Sequence, residues 1–146
     1  MQIYRWCIAF FLIYFFALQP GIAQITSLNQ YGLPVISNVK IYIQEIQQDS
    51  NSNLIELKSL SPTIEYDLKY ATTDNFMHCK IYSSGTYTFL RLPAAKALAE
   101  VQTSLKQHGL GLKIWDAYRP YSVTEEFWAA VKDERYAANP AKGSAH

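Results

Sequence analysis

Asp116-Ala117-Tyr118-Arg119-Pro120 is the stretch whose residue types and spacing best suit chemistry. Arg119 follows a short apolar run and precedes a proline that restricts the chain. A planar guanidinium held there can grip a carboxylate or an oxyanion through two parallel hydrogen bonds. The pattern equally suits an arginine that pairs with Asp116 or snorkels from a sheet edge, and it leaves both readings open. The histidines are His78, His108 and His146. No H-E-x-x-H, C-x-x-C or glycine-rich phosphate loop accompanies them, so spacing alone marks no metal site. His108 falls where a helix should end, a position that favours a partly charged imidazole. His78 reads as a solvated loop residue and His146, the last residue, as a frayed terminus. Cys79 has no partner for an internal disulfide once Cys7 leaves with a leader, and a small buried apolar side chain is its expected role.

The elements that must carry these residues are legible from Leu54 onward. Ile64, Tyr66, Leu68 and Tyr70 alternate with Glu65, Asp67 and Lys69, which predicts a half-buried strand. Ala71 to Phe76 reads as a turn or loop, and Tyr82 to Leu92 as a hairpin-like or extended segment. Pro93 to His108 predicts a helix with Ala94, Ala97, Leu98, Val101 and Leu105 as its apolar stripe and Pro93 in the first turn. Gly109 suits the left-handed residue after such a helix. Gly111 to Asp116 predicts a short strand with Leu112 and Ile114 on one face. Ser122 to about Arg135 predicts a second helix, opened by an S-x-x-E capping box of Ser122 and Glu125. Asn139-Pro140 ends it, and Ala141 to His146 is a loop-like tail. Strand, helix, strand, helix in short unequal segments argues an α+β fold.

The first 53 residues read differently. Arg5 precedes Trp6 to Leu18, thirteen residues without a charge. Pro20-Gly21 breaks the run, and Gly21 and Ala23 suit the −3 and −1 positions of a cleavage site. That is the grammar of a secretory signal peptide over residues 1–23. A bilayer span needs roughly 20 apolar residues, so a lasting membrane anchor is not expected. Residues 24–53 form a lead-in of uncertain order, in which Val39 to Ile43 could be a short strand and Asp49 to Asn53 is a polar linker. A formal charge of +1 gives no basic footprint, so nucleic acid is not an expected partner. With 49% hydrophobic and 14% aromatic residues, wholesale disorder is excluded.

Three stretches together resemble one family. Asp67-Leu68-Lys69-Tyr70-Ala71-Thr72 with Asn75-Phe76, Gly109 to Pro120 (GLGLKIWDAYRP), and Asn139 to His146 (NPAKGSAH) resemble, in order, three segments of the D-alanyl-D-alanine dipeptidases, the VanX-like zinc peptidases. The resemblance runs over residues 54–146 and implies the N-terminal part of a compact α+β metallopeptidase domain. In that family two histidines and an aspartate hold one Zn2+, and a glutamate serves as general base. By position, His146 matches the first zinc ligand and Ser144, two residues before it, a substrate-binding serine. Arg119 matches the arginine that stabilises the transition state.

The implied reaction is hydrolysis of D-alanyl-D-alanine to two D-alanines. Zinc would activate the attacking water, the glutamate would carry its proton, and Arg119 would face the developing oxyanion. The remaining ligands and the base would fall beyond His146. The resemblance therefore implies a domain incomplete at its C-terminus and a 146-residue chain that is inactive alone, with Phe127 and Val131 short of cover. Export implies periplasmic or extracellular work on cell-wall dipeptide, in wall turnover or D-alanine salvage. Two alternatives stay beside it: a non-catalytic extracytoplasmic module that binds a D-Ala carboxylate, and a related D,D-carboxypeptidase acting on longer wall peptides.

Overall fold

Two small two-stranded sheets, one antiparallel and one parallel, organise the described residues. The structure, a computed structural model, describes residues 28–36, 38–83, 85 and 87–143. The signal-like residues 1–23 and Ser144 to His146 lie outside the described residues. Among the described residues no helix is long and apolar enough to cross a membrane.

The elements are α1 (Val39–Gln48), β1 (Leu54–Glu56), α2 (Leu57–Leu60), β2 (Glu65–Tyr66), β3 (Phe89–Arg91), α3 (Leu92–Lys106), β4 (Lys113–Ile114) and α4 (Tyr121–Val131). β1 runs antiparallel to β3, with Leu54 opposite Arg91 and Glu56 opposite Phe89. β2 runs parallel to β4, with Glu65 opposite Lys113 and Tyr66 opposite Ile114. This is a mixed helix-and-sheet architecture, as the strand and helix patterns implied.

β2 and β4 matter most for the site. Their backbone ladder continues past the strand ends: Asp67 N–H donates to the Ile114 carbonyl (2.9 Å) and Lys69 N–H to the Trp115 carbonyl (3.1 Å). The expected strand over Ile64 to Tyr70 is thus strand only at Glu65–Tyr66, and a tight turn takes over at Lys69–Ala71. Its alternation still holds at the core face, where Ile64 and Leu68 are buried. Packing rewarded the apolar positions, while the single neighbouring strand β4 was too short to hold more of the segment extended.

α3 begins with Pro93 in its first turn and ends in a Schellman motif. Leu110 N–H donates to the Leu105 carbonyl (3.0 Å), Gly109 N–H to the Lys106 carbonyl (3.1 Å), and Gly109 takes φ +71°. The buried stripe differs from the expected one. Ala95 and Gln102 are buried, while Val101 is exposed. Gln102 belongs to the inner face because its amide is fully used. It donates to the Thr63 carbonyl (3.2 Å) and hydroxyl (3.1 Å), and its oxygen accepts from Leu112 N–H (2.7 Å). A buried polar group is tolerated when satisfied in this way. It fixes the start of β4, and through β4 the segment that carries Arg119.

Three local expectations are corrected. Val39 to Ile43 is not a strand but the start of α1, where the Asn38 side chain caps Lys40 N–H (2.7 Å). Ile41, Tyr42, Glu45 and Ile46 are its half-buried face, and helical spacing over ten residues outweighed five residues of alternation. The Ser122–Glu125 capping box does not form. Pro120 precedes the helix with no side-chain cap, Ser122 lies inside the first turn, and Glu125 accepts from Gln30 (3.0 Å). Phe127 is not short of cover: it is 1% exposed, and Val123, Ala137, Tyr70, Met77 and Trp128 belong to the same cluster.

Candidate active site

Arg119 is placed by elements on both sides of it. Ile114 belongs to the parallel sheet, Tyr118 N–H donates to the buried Thr88 hydroxyl (3.3 Å), and Pro120 leads into α4. The guanidinium does not extend into solvent. Its Nε (3.0 Å) and Nη2 (2.6 Å) both donate to Asp116 Oδ2, and the two side chains are each 11% exposed. The ring of Phe127 lies 4.8 Å from the guanidinium carbon and that of Tyr70 5.4 Å. Such aromatic contact restrains a cation and adds favourable electrostatics. The pairing with Asp116 and the placement beside a cleft occur together, so the two readings of Arg119 left open by the pattern are not exclusive.

The cleft has a volume of about 350 Å³ and is lined by Lys69, Tyr70, Asp74, Asn75, Phe76, Trp115, Asp116 and Arg119. Its lining comes from two stretches far apart in sequence, Lys69 to Phe76 and Trp115 to Arg119. Aromatic rings form its floor. Tyr70 and Phe76 pack on Phe127 with centroids 4.6 Å and 5.0 Å away.

Asn75 holds the first stretch in shape. Its amide nitrogen donates to the carbonyls of Lys69 (3.2 Å), Thr72 (2.7 Å) and Cys79 (2.9 Å), and its oxygen accepts from Met77 N–H (2.9 Å). One side chain thereby closes a loop that has no regular structure of its own. At the rim, Lys69 pairs with Asp74 (2.7 Å) and Asp67 (3.1 Å). The hydrogen bond from Lys69 holds the Asp74 carboxyl below its usual value, and bonds to Asp74 and Asp67 raise the Lys69 ammonium.

The far side of Asp116 is also engaged. Tyr82 Oη donates to Asp116 Oδ1 (3.0 Å). Burial first, and then the Asp116 charge, push the Tyr82 hydroxyl above the ordinary phenol range. Burial likewise raises Tyr70, with the Arg119 charge acting against it.

Of the residues singled out from sequence, Arg119 is thus in the cleft, whereas His146 and Ser144 lie outside the described residues. His78 and His108 are exposed, as expected of a solvated loop and a helix end. Cys79 is exposed, not buried. It follows His78, whose φ of +52° turns the loop outward, and Asn75 engages only its carbonyl. Among the described residues no group of three or more His, Cys, Asp or Glu could hold a metal ion. The described part of the chain therefore does not form a zinc site.

Sequence reasoning missed Tyr82, and it treated Asp116 only as a bland partner. Tyr82 carried no motif signal of its own. The Asp116–Arg119 spacing was the available clue, since three residues on from a strand end can bring both side chains to one edge.

Residues 50–146 match the Peptidase_M15 family, described as D-ala-D-ala dipeptidase, and the chain belongs to that family. It is 35% identical over 95 residues to D-alanyl-D-alanine dipeptidase of Escherichia coli strain K12, covering 65% of this chain and 49% of that protein. It is 36% identical over 74 residues to D-alanyl-D-alanine dipeptidase of Enterococcus faecalis strain V583, covering 49% of this chain and 37% of that one. The chain spans about half the length of the first of these curated relatives, and less of the second. No solved structure matches the chain.

Proposed function

We propose that this chain contributes the arginine-bearing part of an exported peptidase that hydrolyses D-alanyl-D-alanine to two D-alanines with the help of Zn2+. The reading rests on one arrangement. The two segments that resemble the family, Asp67 to Phe76 and Gly109 to Pro120, meet in space to form one cleft with Arg119 on its wall. A cleft of about 350 Å³ is near the small end of ligand sites, which suits a dipeptide better than a long peptide. Asp116 engages the Nε–Nη2 edge, so the Nη1 side of the guanidinium is outside that pair. In this proposal Nη1 donates to the scissile carbonyl oxygen as negative charge develops there. Tyr70, Phe76 and Phe127 lower the local dielectric, which strengthens that contact. His146 is proposed as a zinc ligand and Ser144 as a substrate contact on the family resemblance alone. The signal-like residues 1–23 support work outside the cytoplasm.

Two proteins test the proposal: the 146-residue chain, and a chimera in which the C-terminal residues of the Escherichia coli relative follow His146. D-Alanine release from D-Ala-D-Ala with zinc present, by either protein, supports it. Folded protein that binds the dipeptide without releasing D-alanine in both forms overturns it in favour of a binding module. Faster cleavage of longer wall peptides than of the dipeptide would favour a D,D-carboxypeptidase.

A further inference from the structure

We propose that Tyr82 and Asp116 act in series as positioning residues for Arg119: the Tyr82 hydroxyl orients the Asp116 carboxylate, and that carboxylate decides which edge of the guanidinium meets the cleft. The inference rests on the reading of Arg119 as the group that meets substrate.

The geometry is a relay with one job per oxygen. Asp116 Oδ1 accepts from Tyr82 Oη (3.0 Å), and Asp116 Oδ2 accepts from Arg119 Nε (3.0 Å) and Nη2 (2.6 Å). A carboxylate held on one side only can rotate and still keep one bond. Held on both sides, it presents Oδ2 in a single direction. An arginine side chain has many accessible rotamers, so its head group is ordered only when neighbours order it. Here Asp116 fixes one edge, and the rings of Phe127 and Tyr70 restrict the faces.

Tyr82 is itself anchored. Its N–H (2.9 Å) and that of Ile81 (2.8 Å) both donate to the Tyr70 carbonyl, and its ring meets the Tyr70 ring edge-on at 6.0 Å. Tyr70 therefore sets the position of Tyr82 as well as one wall of the cleft. Burial keeps the Tyr82 hydroxyl protonated across the range in which proteins ordinarily work, so it remains a donor to Asp116. A residue 34 positions before Asp116 in sequence thus acts on Arg119 from behind the cleft lining, of which it is not itself a member.

Tyr82→Phe removes the hydroxyl and keeps the ring in the core. In the 146-residue chain, the Arg119 Nε–H signal measured by proton–nitrogen NMR should lose order and exchange faster with water. The thermal midpoint should move little. Asp116→Asn, which leaves the Tyr82 ring untouched, should loosen the same signal further and serves if Tyr82→Phe folds poorly. In whichever protein releases D-alanine, Tyr82→Phe should lower kcat roughly tenfold, the scale of one hydrogen bond to a charged group, with a smaller change in KM. Added to Arg119→Ala, it should lower kcat no further, because its effect passes through the missing arginine. An Arg119 Nε–H signal equally ordered in wild type and Tyr82→Phe overturns the proposal, and so does a loss that adds in full to that of Arg119→Ala. Folded wild type without turnover counts against the dipeptidase reading instead, and the NMR comparison then decides the relay.

Discussion

Two arginine–carboxylate pairs do different work: Arg119 with Asp116, three residues apart in one segment, and Arg91 with Glu45, which ties two distant ones. Arg119 and Asp116 are each 11% exposed, and the arginine lies against two aromatic rings. Arg91 is 59% exposed and meets Glu45 at 3.4 Å, with its closer bond to the Ser52 hydroxyl (2.7 Å). The second pair clips α1 and the turn after it onto β3. Its guanidinium stays largely hydrated, although the Glu45 side chain is only 19% exposed, so the attraction is weak and the ordering of a long side chain offsets much of it. The first pair has given up most of its water. Its charges depend on each other and on Tyr82, and a change to any member leaves a polar group stranded. Similar residue types make a clip in one place and a preorganised head group in the other, and burial is the difference.

The largest test of that contrast removes the aromatic floor. Phe127→Ala deletes a fully buried ring that supports Arg119, Tyr70 and Phe76 together. A loss of about 3–5 kcal/mol is expected, from lost burial plus the cavity left behind. Chemical denaturation of purified protein measures it. A loss near that of a surface substitution would mean that the pocket side of the molecule is loosely packed and that the contrast is misplaced.

Arg119→Ala comes next. Removal strands Asp116 with Tyr82 as its remaining partner, so a stability loss of about 1–3 kcal/mol is expected. Its 11% exposure sets this above the cost of an ordinary surface substitution. In an active form, kcat should fall about 10²-fold as one oxyanion donor is lost. Arg119→Lys should restore little of either quantity, since an ammonium cannot span Asp116 and the cleft at once. Normal turnover in the folded fraction of Arg119→Ala would reduce the residue to a structural partner of Asp116.

Arg91→Ala is the matched change on the other side. It should cost about 1 kcal/mol or less, because Ser52 keeps its own bond to Glu45 (2.7 Å) after the arginine is gone. Dipeptide turnover should not change. A loss as large as that of Arg119→Ala would break the claim that burial separates the two pairs.

Much of this was legible in the sequence, for physical reasons. α3 announced itself through Pro93, a long run of good helix formers and Gly109, and each played its expected part at a helix end. β4 and the loop at Ala71 to Phe76 were legible from alternation and turn residues. The buried face of α3 was not, because Gln102 is polar and only its three bonds make it an inner residue. α1 was misread because Val39, Ile41 and Ile43 alternate for five residues, and the Asn38 cap was overlooked. In the site, the motif at Asp116 to Pro120 pointed to Arg119. Tyr82 was invisible, since a tyrosine in an irregular segment has no periodicity to betray it and its role exists only once Tyr70 has pinned the backbone.

The smallest expected effect comes from charge pairs more exposed than Arg91 and Glu45. Lys69–Asp74 stands at the cleft rim, while Arg135–Asp133 and Lys142–Glu134 stand beyond α4. In each, a hydrogen bond from the cation lowers the folded pKa of the carboxylate. A lowered folded value means that the pair's contribution is present above the ordinary value, 3.8 for Asp74 and Asp133 and 4.5 for Glu134. It is lost as pH falls through the lower folded values. Stability should therefore decline as the protein is taken from pH 5 to pH 3, and the part due to these pairs should shrink in 1 M salt, where the screening length is about 3 Å. Asp74→Asn should remove part of the decline, although Lys69 keeps Asp67 as a partner at 3.1 Å. Thermal midpoints at the two pH values, at low and high salt, make the measurement. If Asp74→Asn altered the midpoint more than Arg91→Ala does, proximity to the cleft rather than burial would be setting the strength of these pairs. The comparison between the two arginines would then have to be redrawn around the cleft itself.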